Sequence, residues 1–217
     1  MHTDILGRIT ADQWLVTGWF TEDYAHLARA FSANLDQLSI PHHLYARVLK
    51  PGGFVANTLR KPEVLLTAFA DYPGKTLVLC DVDMQLFGDI SPIVGMTGDV
   101  LVASGTKAGD CVPWKKRKRR IHLSSRVMVW KNNDRAKALV RLWKEQCDRP
   151  GISYGDETAL IEAYVRSEGV GLARLPPRFS GHQKHSAPAD AVFIHDSEYD
   201  KRQTWLHNLL SGKFLRH

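Results

Sequence analysis

Residues 77–83, Leu-Val-Leu-Cys-Asp-Val-Asp, constrain this chain more than any other stretch. The run Leu77 to Cys80 is short and continuously apolar, the pattern of a strand buried on both faces of a parallel sheet. Side chains alternate along a strand, so Asp81 and Asp83 point the same way where extended geometry persists. Two carboxylates on one side repel each other unless a cation sits between them. The carboxyl end of a strand in an open α/β sheet is also where ligands bind. The stretch therefore predicts a divalent-cation site able to hold a diphosphate.

The flanking sequence supplies the sheet. Residues 13–20 read as a first strand that turns at Gly18, with Thr21 as a helix N-cap and Glu22 and Asp23 in the first turn. That helix runs to about residue 38, with Leu27, Phe31, Leu35 and Leu38 on one face. A second strand follows at 43–48, and Pro51-Gly52-Gly53 reads as a loop. Pro62 fits the start of a helix carrying Val64, Leu65, Ala68 and Phe69, which ends at Tyr72-Pro73-Gly74. Strand, helix, strand, helix, strand implies a parallel sheet with helices outside.

Beyond it come a short strand at 100–104, a polar loop at 105–120 and a strand at 121–130, antiparallel or at an edge. Helices follow from Asn133 or Asp134 to about Cys147, from Asp156 to Arg166 and over 205–215, with short strands at 170–175 and 191–195. No linker divides the chain, so the expectation is one α/β domain over residues 1–217 with a mixed, mainly parallel sheet.

A net charge of +6 and a pI near 9.3 call for an anionic partner. Cys80, Cys111 and Cys147 lack metal-type spacing and suit a reducing cytoplasm better than a disulfide-built fold. No stretch has the apolar length to span a bilayer and no signal segment opens the sequence, so a cytoplasmic protein is expected. Its cationic run 115–120 would allow peripheral contact with an anionic membrane face. No aromatic interleaving or helix-turn-helix pattern accompanies that run, which argues against specific nucleic-acid readout. A loop of that length suits folding over a diphosphate or recruiting an acidic glycan or lipid-linked acceptor.

Several pieces occur in the order found in glycosyltransferases of the GT-A fold. They are an opening strand through Thr17, Lys61-Pro62-x-x-x-Leu66, the stretch from Lys75 to Asp83, Gly88-Asp89-Ile90-Ser91-Pro92, a Ser-Ser-Arg-Val-Met-Val-Trp strand, Gly155-Asp156-Glu157-Thr158-Ala159-Leu160, and a late Phe193-Ile194-His195. The sequence resembles that family over most of its length. The resemblance implies a Rossmann-related fold, a nucleotide-diphosphate sugar donor (uridine diphosphate by default) and a glycan or lipid-linked acceptor. It implies Asp81, Asp83 and His195 as ligands of manganese or magnesium, with Thr17, Lys61, Val82 and Lys201 near the nucleotide. Carboxylates suit either ion, and an added imidazole favours manganese.

Asp156 and Glu157 open a helix, where acidic residues cap and complement the dipole. The resemblance instead gives them a catalytic part, as general base in an inverting transfer or as stabiliser of the sugar cation in a retaining one. Both readings of the pair stay open. Arg126 stands where related enzymes commonly have Gly, which bears on the acceptor side. Trp114, Tyr154, His182 and His185 are candidates for a sugar subsite. The alternative resemblance is to haloacid-dehalogenase-type phosphatases, with Asp81 as the nucleophile, although the usual Gly-Thr after the acidic pair is missing. A third reading is a basic module that binds nucleic acid or a membrane surface.

Overall fold

The computed structural model describes residues 3–10, 13–104, 123–152, 154–183 and 187–195. In chain order the elements are β1 (Ile5–Leu6), β2 (Trp14–Phe20), α1 (Ala25–Gln37), β3 (His42–Ala46), α2 (Gly53–Thr58), α3 (Lys61–Asp71), β4 (Thr76–Cys80), β5 (Met84–Leu86), α4 (Ser91–Val94), β6 (Val100–Ser104), β7 (Leu123–Trp130), α5 (Asp134–Cys147), α6 (Asp156–Arg166), β8 (Leu172–Arg174), β9 (His182–Gln183) and β10 (Phe193–His195). A seven-stranded sheet has the order β1-β3-β2-β4-β7-β6-β8, and β5, β10 and β9 form a second, three-stranded one. In the large sheet β2, β3, β4, β6 and β8 run one way, β1 and β7 the other.

The apolar run of β4 lies at the middle of this sheet and is buried on both faces. Leu77 and Leu79 pack with Leu65 of α3, Leu139 and Trp143 of α5 and Leu160 of α6. Val78 and Cys80 pack with Phe31 and Leu35 of α1 and with Ile90. Each face needs its own helical cover, because a strand with no polar side has nothing to offer water.

Several boundaries differ from expectation for identifiable reasons. Gly18 does not turn the chain but lies inside β2, where an added Cβ would sit 2.6 Å from the Cys80 carbonyl oxygen. Thr21 does not cap α1: it precedes a 3-10 turn over Glu22–Tyr24, and its hydroxyl donates to Asp23 Oδ1 at 2.6 Å. Gly52 and Gly53, with φ of 107° and 74°, bend the chain directly into α2, which the Pro-Gly-Gly signal concealed as loop. The strand over Leu123–Trp130 is antiparallel but not an edge; it sits between β4 and β6. Asn133 caps α5 by accepting from Ala136 N–H at 2.9 Å. Gly155, not Asp156, is the N-cap of α6.

One buried carboxylate ties the far end of the sheet together. Asp99 accepts from Gly171 N–H (2.7 Å), Asn133 Nδ2 (2.8 Å) and Arg135 Nε (2.9 Å), which joins β6, α5 and the approach to β8.

Candidate active site

The acidic pair sits where β4 stops. Asp81 N–H donates to the Arg126 carbonyl of β7 at 3.1 Å, and the chain then turns through Val82 and Asp83 into β5. Extended geometry therefore does not persist, and a turn brings the two carboxylates together. β10 pairs with β5 so that His195 stands opposite Met84, next to Asp83. His195 Nε2 lies 3.1 Å from Asp83 Oδ1. One donor atom each of Asp81, Asp83 and His195 can be chosen with all three within 4.8 Å of one another.

Lys61 occupies the first turn of α3, and its buried ammonium bridges two carboxylates. Nζ is 2.8 Å from Asp81 Oδ1 and 3.2 Å from Asp156 Oδ2. It also donates to Ser125 Oγ at 2.9 Å. Ser125 Oγ in turn donates to Asp156 Oδ2 at 2.5 Å, and Ser125 N–H donates to Glu157 Oε1 at 3.0 Å. Helices α3 and α6 and strands β4 and β7 thus meet in one charged knot.

Burial alone would lower the Lys61 pKa; the carboxylates of Asp156 and Asp81 outweigh it and hold the ammonium well above its ordinary range. Burial raises the Asp81 carboxyl, Lys61 opposes that rise and Asp83 adds to it, with a net shift upward. Asp83 is also pushed up by burial, yet the hydrogen bond and charge of His195 leave it below its usual value.

These residues line a cavity of about 630 Å³, within the range of small-molecule sites. Trp19, Phe20, Thr21, Asp23 and Tyr24 line it from the end of β2, and Leu49, Phe54, Asn57 and Thr58 from around α2. Val82, Arg126, Asp156 and Glu157 also face it. Thr17 does not reach it: that side chain is buried and donates to the His43 carbonyl at 3.2 Å. Tyr154 packs against the core cluster that contains Trp143. Lys201, Trp114, His185 and the run 115–120 lie outside the described residues, as does the side chain of His182.

Ser125 is the site residue that sequence reasoning passed over. Its signal is the polar Ser-Ser-Arg interrupting an otherwise apolar strand. The aromatic wall at the end of β2 follows from the rule that ligands sit beyond the carboxyl ends of strands.

The donor set fits a divalent ion. Ligands in cis positions on an octahedral ion about 2.1 Å away stand about 3 Å apart, and His195 Nε2 and Asp83 Oδ1 have that spacing at 3.1 Å. His195 Nδ1 is buried and has no hydrogen-bond partner among the described residues, so its ring is not committed elsewhere. Among the described residues, the carboxylates of Asp23, Asp81, Asp83, Asp156 and Glu157 line the cavity together with the cations Lys61 and Arg126. That excess of carboxylates suits a bound cation.

The fold is similar to that of a glycosyltransferase involved in the glycosylation of the major capsid of PBCV-1, known from its crystal structure. The TM-score is 0.61 at 10% sequence identity, over 89% of this chain and 98% of that chain. No protein-family model matches the chain, and no curated protein matches it. Among the described residues no helix is long and apolar enough to cross a membrane. The chain has a GT-A-like α/β fold with an Asp-x-Asp group and a histidine gathered at the carboxyl end of its central strand.

Proposed function

We propose that this protein is a metal-dependent glycosyltransferase, acting over residues 1–217 as one transferase domain. It would move a sugar from a nucleoside diphosphate, with uridine the default base, to a saccharide or lipid-linked acceptor. The observation that carries the reading is the convergence of Asp81, Asp83 and His195 in a cavity that Asp156 also lines, joined to Asp81 through Lys61.

Asp81, Asp83 and His195 would hold manganese or magnesium, which when bound supplies Lewis-acid stabilisation to a departing diphosphate. The chain's own groups do the rest. Lys61 fixes Asp81 and Asp156 at a set separation, so neither carboxylate must reorganise when substrate arrives. Ser125 aims Asp156 through its hydroxyl and Glu157 through its N–H. Asp156 and Glu157 are then placed to take the acceptor's proton or to stabilise positive charge on the sugar ring. Phe20, Tyr24 and Phe54 give the cavity an apolar wall for base or sugar faces and keep water from the reacting centre.

The test is a thermal-shift screen of nucleotides with and without manganese, followed by turnover of uridine diphosphate sugars. Stabilisation by uridine diphosphate only when manganese is present, with sugar release from a donor, supports the reading. Indifference to every nucleoside diphosphate, or turnover of p-nitrophenyl phosphate that Asp81→Asn abolishes, sinks it.

A further inference from the structure

Among the described residues two cationic side chains, Lys61 and Arg126, line the cavity, and one is spent. Lys61 Nζ is engaged by Asp81, Asp156 and Ser125 together. Arg126 is not. Its backbone is committed, with N–H donating to Ser124 Oγ at 3.4 Å and its carbonyl accepting from Asp81 N–H at 3.1 Å. Among the described residues its guanidinium makes no ion pair or hydrogen bond, although the side chain is half-buried and faces the cavity.

The cause lies in β7. Val102 of β6 pairs with Met128, yet the next residue, Ala103, pairs with Ser124, so 125–127 bulge away from β6. Bulges re-aim side chains beside active sites. Here Ser125 meets Lys61 while the neighbouring Arg126 lines the cavity. A permanently charged guanidinium that is partly desolvated and, among the described residues, holds no ion pair is open to an arriving anion. Its planar fork of donors matches a carboxylate or phosphate with two parallel hydrogen bonds.

We propose that Arg126 is the anion-reading residue of this cavity: its guanidinium takes an oxyanion of the donor, either the diphosphate or a carboxylate on the transferred sugar. The proposal rests on the nucleotide-sugar reading for the identity of the donor and on the β7 bulge for the residue.

Titration calorimetry with manganese present tests it. The probes are inorganic pyrophosphate, uridine diphosphate, uridine diphosphate glucose and uridine diphosphate glucuronic acid. The proteins are the wild type, Arg126→Gln and Arg126→Lys. Loss of a charge-assisted pair predicts roughly 10- to 100-fold weaker binding for the Gln variant and a smaller loss for the Lys variant. A loss confined to the glucuronic acid conjugate places the sugar carboxylate on Arg126; an equal loss for all four probes places the diphosphate there. If Gln prevents folding, Arg126→Lys, which keeps the charge and stem, still shows a several-fold loss. Wild-type affinity for all four probes in a folded variant overturns the proposal. Binding of pyrophosphate but of no nucleotide, weakened by Arg126→Gln, keeps Arg126 and removes the nucleotide reading. Refusal of all four by the wild type removes both.

Discussion

Trp143 Nε1 donates a 2.9 Å hydrogen bond to the backbone carbonyl of Asp156, so the first residue of α6 hangs from the core of α5. The indole is itself held in place, stacked on Trp130 at 5.9 Å between ring centroids with 9° between planes. The position of the Asp156 carboxylate is therefore set by packing as well as by charge. Trp143→Phe keeps much of the volume and removes the donor, which costs about 1–3 kcal/mol. Urea unfolding measures that loss, and sugar-nucleotide turnover should fall by more than the stability change explains. Trp143→Ala, which empties a core site, costs about 3–5 kcal/mol.

Lys61→Met leaves two carboxylates facing each other with no cation between them. Breaking a buried pair from one side costs about 3–5 kcal/mol. Burial already raises the Asp81 carboxyl against the opposing charge of Lys61, so without the ammonium it rises further, and the penalty is full where Asp81 is ionised and falls as acid protonates it. Denaturation midpoints at about pH 7 and about pH 4 should show the gap to wild type narrowing in acid. A gap that widens in acid contradicts the bridge.

At a hundredfold excess over its dissociation constant, a ligand bound only by the native state stabilises it by about 2.7 kcal/mol. For a chain of this size that is on the order of 5–10 °C in Tm. Uridine diphosphate with manganese should give a shift of that order, and Asp83→Asn or His195→Ala should abolish it. Addition of a chelator to the wild type should have the same effect as either substitution.

Gly18→Ala puts a methyl group 2.6 Å from the Cys80 carbonyl oxygen, one residue before Asp81. Strands β2 and β4 must part to admit it, at about 1–3 kcal/mol. Because the displaced strand ends at the acidic pair, manganese-dependent nucleotide binding should weaken along with stability. Calorimetry and thermal melts on the same sample separate the two effects.

His43 and Asp99 are among the groups that shape the acid limb of stability. His43 contacts Tyr72 Oη at 2.9 Å and Asp4 Oδ2 at 3.1 Å, but burial dominates and depresses its pKa below 6.5. A histidine held neutral in the fold takes up its proton more readily when unfolded, so its contribution is present above about pH 6.5 and is lost as pH falls below it. Burial pushes the Asp99 carboxyl up, but donors from Gly171, Arg135 and Asn133 outweigh it and hold the group below its ordinary value. That contribution persists above about pH 4 and is lost as pH falls through the lower folded-state value. His43→Gln should flatten the first segment of the stability profile and Asp99→Asn the second.

The sheet's middle was legible because Leu77 to Cys80 is apolar without alternation, a pattern few structures other than a doubly covered strand accept. The acidic pair and His195 were legible as residue types at a strand end. Their meeting was not, since it depends on a turn at 82–83 and on the pairing of β10 with β5, both set by tertiary contacts. Helix α2 was concealed by glycines that happen to start it. Ser125 and the aim of Arg126 depend on a three-residue slip in register against β6, which leaves no trace in periodicity. Lys61 was visible as a motif, but its bond to Asp156 joins residues far apart in the chain.

His195 reaches the cavity on β10, which belongs to the three-stranded sheet, pairs with β5 and β9 and is anchored in the core by Phe193. An ion shared by Asp83 and His195 would act as a removable staple, closing a loop of more than half the chain as a disulfide does. Its grip should register far from chemistry, as slower amide exchange along Met84–Leu86 and Phe193–His195 that a chelator restores. Occupancy by donor and anchorage of the C-terminal strap are then one equilibrium.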